Sequence, residues 1–138
     1  MGNVKVAEEL MVIAKCLLAM NDNYKVIEDV VDELSKVKGI ASAGASDGFN
    51  DETTFTISLE LVVTSHEFGR VEYPSEFMMP LRKLKGAVKR ALSNVGGDLK
   101  PVLDGKIDVP RKKTWVDEFG NRKSAYEHNR VYFNVRVK

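Results

Sequence analysis

The sequence predicts an α+β fold: an antiparallel β-sheet of four to five strands with about three helices packed mainly on one face. Two stretches and one layout carry that expectation. Residues 55–63 place Phe55, Ile57, Leu59, Leu61 and Val63 on one side and Thr56, Ser58 and Glu60 on the other. A period of two, rich in β-branched and aromatic residues, is the pattern of a half-buried strand. The residues from Val131 repeat it, with Val131, Phe133, Val135 and Val137 alternating with Tyr132, Asn134, Arg136 and Lys138. Strands with one apolar face pair into an antiparallel sheet and need helices to cover that face. The layout supplies them: a helix, then two helix–strand–strand units that echo each other in topology but not in residues.

The elements follow in order. Residues 4–20 have helical periodicity, with Val6, Leu10, Ile13 and Leu17 as an a/d seam widened by Ala7, Met11, Ala14 and Leu18. This face is wider than one sheet contact needs, so it serves either as core or as a contact with another subunit. Asn21, Asp22 and Asn23 offer N-caps to a second helix running to about Lys38, with Ile27, Val30, Val31, Leu34 and Val37 as its stripe. Gly39 is a helix stop. Ile40–Ser46 reads as a short strand, and Asp47–Asp51 as the loop of a hairpin leading into the strand at 55–63. Residues 64–80 read as irregular, punctuated by Pro74 and Pro80. A helix follows with Leu81, Leu84, Val88, Ala91, Leu92 and Val95 on one face, and Gly96-Gly97 ends it. Residues 98–110 are ambiguous, with Pro110 pointing to an edge or a bulge. Residues 111–116 are compatible with a strand, and Asp117–Asn121 is hairpin-loop chemistry before the final strand.

The chain has 138 residues, 43% hydrophobic and 30% charged, which suits one globular domain over residues 1–138. Within it, the helix at 4–20 is expected to be either part of the core or a docking or oligomerisation element. No apolar run approaches the roughly 18 residues that span a bilayer. Glu8 and Glu9 stand where a signal peptide would have its apolar core, and Val6 does not fit a myristoylation motif. The expected location is therefore intracellular, without membrane contact. The charge is lopsided: residues 1–80 hold 6 Lys/Arg against 14 Asp/Glu, a net −8, and residues 81–138 hold 15 against 6, a net +9.

Catalytic chemistry is not legible. His66 and His128 are the two histidines, and His66, Glu67 and Glu72 match no known ligand spacing for a metal. Cys16 lies in an apolar helical pattern with no base nearby in sequence. Nucleophile elbows, phosphate loops and calcium loops are missing from the sequence. No catalytic residue, metal or cofactor is expected, and the chain is expected not to be an enzyme. The basic half is the functional lead. Arg82, Lys85 and Lys89 share one line along their helix, and Arg111, Lys112 and Lys113 stand beside Trp115. Cations for phosphates and aromatic faces for bases are what nucleic-acid surfaces use.

Val6-Ala7-Glu8-Glu9-Leu10 followed by Ala14-Lys15-Cys16-Leu17-Leu18-Ala19 resembles the opening helix of small proteins encoded by tailed bacteriophages. The resemblance implies a viral setting, in the cytoplasm of a host cell or in a virion, and assigns no activity. The expected function is a non-enzymatic, self-associating binding or assembly protein, a phage structural or accessory component. Val6, Leu10, Ile13 and Leu17 would form its oligomer interface. The alternative is a nucleic-acid-binding protein using Arg82, Lys85, Lys89, Arg111, Lys112, Lys113 and Trp115.

Overall fold

Alternation on two strands organises the structure, a computed structural model that describes residues 22–49, 53–68 and 71–137. Strand β2 (Thr54–Leu61) pairs antiparallel with β8 (Arg130–Val137), setting Phe55 opposite Val135, Ile57 opposite Phe133 and Leu59 opposite Val131. All six side chains are buried, whereas Glu60, Tyr132 and Arg136 on the other face are exposed. Strand β1 (Ile40–Phe49) flanks β2 and β5 (Pro101–Asp108) flanks β8, completing an antiparallel sheet in the order β1-β2-β8-β5.

Two helices cover its apolar face. Helix α1 occupies residues 22–35 and buries Val26, Ile27, Val30 and Leu34. Helix α2 (Leu81–Ser93) buries Leu84, Ala87, Val88, Ala91 and Leu92. Leu84, Val88, Ala91 and Leu92 join the α1 stripe and the β2 and β8 rows in one core. Pro80 sits immediately before the first turn of α2, and its carbonyl accepts the Lys83 N–H at 2.9 Å. The fold is α+β, as expected, with a main sheet of four strands. The described residues contain two helices; the helix expected at 4–20, with Val6, Leu10, Ile13 and Leu17, lies outside them.

Three sequence readings need correction. The strong strand does not run through to Val63. At Val62 the pairing changes hands: its N–H donates to the Gly39 carbonyl at 2.9 Å, and its carbonyl accepts the Met78 N–H at 3.0 Å. Residues beyond it are not irregular but form a ribbon, β3 (Val63–Phe68) with β4 (Val71–Phe77). Pro74 is tolerated there because the register shifts beside it, where Ser65 pairs with Pro74 and Thr64 with Glu76. The ambiguous stretch after α2 is edge strand β5, whose ladder with β8 is interrupted between Asp104 and Asp108 around Gly105 at φ 83°. The remaining strands, β6 (Lys112–Val116) and β7 (Arg122–Tyr126), form a separate two-stranded ribbon.

Gly39 joins α1 to the sheet at φ 103°, and a Cβ there would lie 2.9 Å from the Met79 Cβ. Both the backbone and the space therefore require glycine. Gly39→Ala should lower the unfolding free energy by at least about 1–2 kcal/mol, the penalty for a left-handed conformation alone. Leu59, 1% exposed, should cost about 2–5 kcal/mol when cut to alanine. Urea titration followed by circular dichroism measures both. A loss at Leu59 below about 0.5 kcal/mol, the scale of ordinary surface changes, would mean that the β2 row is not the core.

Candidate functional site

Helix α2 is amphipathic in an unusual way. Its outer face carries Arg82, Lys83, Lys85, Lys89 and Arg90, all exposed, and the helix contains no acidic residue. Arg82, Lys85 and Lys89 stand three and four residues apart, close enough for like charges to repel. None of the five forms a salt bridge with a described acidic side chain. Helix α1, on the same side of the sheet, is the reverse. Asp22, Glu28, Asp29, Asp32 and Glu33 oppose Lys25 within residues 22–35.

Between α2 and β5 lies a groove of about 300 Å³ lined by Leu81, Leu84, Lys85, Gly105, Lys106, Ile107 and Val109. Gly105 and Lys106 belong to the interrupted part of the β5 ladder. Lys85 and Lys106 supply the charge of the lining, and four apolar side chains supply the rest. Lys106 was not singled out by sequence, because it comes to the same groove as Lys85 only through tertiary structure.

The second cationic element is the β6–β7 ribbon. Arg111, Lys112 and Lys113 are exposed at its base, and Trp115, opposite Lys123, is half-buried. Lys112 Nζ lies 6.0 Å from the centroid of the Tyr126 ring, at the outer limit of a cation–π contact. Tyr126 in turn packs on Phe77 at 4.5 Å, which ties this ribbon to β4. Lys113 Nζ is 3.9 Å from Glu127 Oε1, and the Glu127 N–H donates to the Arg111 carbonyl at 3.0 Å. The structure thus gathers Arg111, Lys112, Lys113 and Trp115 on one ribbon and Arg82, Lys85 and Lys89 on one helix face. Residues 109–111 link the groove wall to the ribbon.

The ribbon ends in a fixed turn. The Asp117 carboxylate oxygen accepts the N–H of Phe119 at 2.9 Å and of Asn121 at 2.8 Å. The Asp117 N–H donates to the Asn121 carbonyl, and the Gly120 N–H to the Asp117 carbonyl. Gly120 takes the positive φ of 79° that closes the turn. Phe119 stands out from it at 80% exposure and Val116 beside it at 64%. An aromatic inside the Asp117–Asn121 loop was the available sequence signal.

His128 is exposed, and its Nδ1 accepts the Arg130 N–H at 3.1 Å. His66 is opposite Tyr73, and Glu67 opposite Glu72, in the β3–β4 ladder. Among the described residues, no group of three or more His, Cys, Asp and Glu converges as metal ligands would. No described helix is long and apolar enough to cross a membrane. No protein-family model matches the chain, and no curated protein or solved structure is significantly similar to it.

Asp117→Ala removes two of the hydrogen bonds that fix the turn, each a net contribution of about 1 kcal/mol. Amide exchange at Phe119 and Asn121 should accelerate about five- to tenfold, with exchange at Val135 unchanged. Hydrogen-exchange NMR measures this; equal rates in parent and variant would show that the carboxylate does not order the tip.

Proposed function

We propose that this chain is a non-enzymatic assembly protein whose copies associate head to tail, as a structural or accessory component of a tailed bacteriophage, in the virion or the host cytoplasm. The observation that carries the reading is the outer face of α2: five cations and no acid on a helix of 13 residues. Mutual repulsion along such a face is relieved by an acidic partner surface. The chain carries one itself, since α1 exposes carboxylates on the same side of the sheet. Opposite patches at different places on one molecule favour contact between copies and disfavour a patch meeting itself. The phage setting rests on the likeness of residues 6–19. Val6, Leu10, Ile13 and Leu17 are proposed to add apolar contact to the same association.

Light scattering across a salt series tests this. Charges more than about 10 Å apart are screened at ~0.1 M salt, so salt should slow assembly more than it weakens the final complex. Reversing two charges, Lys85→Glu with Lys89→Glu, should slow association about tenfold or more. A parent chain that stays monomeric at high concentration and low salt refutes the proposal.

A second reading is favoured by the ribbon, where Arg111, Lys112 and Lys113 are exposed and Lys112 lies over the ring of Tyr126. It is nucleic-acid binding, with Arg82, Lys85 and Lys89 as further phosphate contacts and Trp115 beside the bases. Changing Arg111, Lys112 and Lys113 together to alanine should weaken binding equally across sequences. The slope of log affinity against log salt should fall by roughly 0.7–0.9 for each phosphate that is no longer neutralised. Fluorescence anisotropy with labelled oligonucleotides measures both quantities, and a parent that binds no oligonucleotide at low salt removes this reading.

A further inference from the structure

We infer that the tip of the β6–β7 ribbon of one copy plugs into the groove between α2 and β5 of the next. This rests on the self-association reading and adds to its charge pairing an anchoring contact beside the α2 face. The tip displays Phe119 and Val116 to water at 80% and 64% exposure. Its backbone is already fixed by the Asp117 carboxylate and by the cross-turn bonds between Asp117, Gly120 and Asn121. An aromatic anchor on a pre-ordered turn loses little freedom on contact, which is the condition for an efficient docking residue. Exposed Glu118 adds a negative charge next to Phe119.

The groove is the counterpart in both respects. Leu81, Leu84, Ile107 and Val109 provide apolar walls, and Lys85 and Lys106 provide positive charge. Its volume of about 300 Å³ is at the small end of ligand pockets, which suits one aromatic side chain. A phosphate would match the two lysines and leave the apolar walls wet, whereas Phe119 with Glu118 satisfies both. The tip is carried away from the groove of its own copy. Val109 lines that groove, and the paired ribbon starts just beyond it, with Glu127 bonded to Arg111. Five residues of β6 then extend about 17 Å to the tip. Plug and socket are different surfaces, so the contact is heterologous and propagates as a ring or an open chain.

Two single substitutions and their mixture test the joint by size exclusion with light scattering. Phe119→Ser disables the plug and Val109→Glu the socket. Both sites are exposed, and unchanged melting temperatures confirm that each variant folds. The parent should form species that grow with concentration. Each variant alone should be monomeric, its association weakened by at least about thirtyfold, as for loss of a central anchor. Mixed together they should give a one-to-one dimer, because one intact tip remains to meet one intact groove. A mixture that stays monomeric overturns the inference. So does a Phe119→Ser chain that associates like the parent; in that case self-association stands and its joint lies elsewhere. A parent that is monomeric at every concentration removes both.

Discussion

The shared apolar row of β2 and β8 is the constraint on which the rest of the fold depends. The row is continuous across the two strands because the register sets Phe55, Ile57 and Leu59 against Val135, Phe133 and Val131. A slip of one residue would turn every one of these side chains to the polar face. Both helices bury their stripes in the core built on that row, and α2 also packs against β5, whose Leu103 and Ile107 lie at the edge of the core. Glu60, Arg130, Tyr132 and Arg136 mark the opposite face, which holds the register by being unwelcome in the core.

Interaction surfaces are kept apart from this core. Helix α2 divides its circumference, with Leu84, Val88 and Leu92 turned inward and its cations outward. The β6–β7 ribbon shares no ladder with the main sheet. It is attached through the Phe77–Tyr126 ring contact, the buried Ala125 and the short link past Pro110. Side chains on its outer half can therefore change with little effect on sheet stability. The same separation leaves Phe119 without intramolecular cover.

Legibility in the sequence followed burial. Strands β2 and β8 and helices α1 and α2 each present one face to the core, so their periods of two and 3.6 stand out. The β3–β4 ribbon was hidden because Thr64, Ser65, His66 and Glu67 offer no apolar alternation, and because Pro74 reads as a break until a register shift is known. Strand β5 was obscured by Asp104, Lys106 and Asp108, charges that an edge strand tolerates. Of the candidate surface, the α2 line was readable because helical spacing is rigid, and the ribbon triad because it is contiguous. The groove was not, since Lys85 and Lys106 meet only through tertiary structure. Nor was the display of Phe119, which depends on where a turn points.

The β2–β8 ladder also sets an order in time. Thr56 and Asn134 bond across it from positions 78 residues apart. At about 5–20 residues per second, β2 is made roughly 4–16 s before its partner. Throughout that interval the edge of β2 that β8 will pair lies open, and until α2 is made Phe55, Ile57, Leu59 and Leu61 have only β1 and α1, among the described elements, for shelter. Each nascent chain therefore passes through a window in which a long apolar strand has one free edge. A chaperone that holds extended apolar segments would act there, and crowding of several chains on one message would be hazardous there.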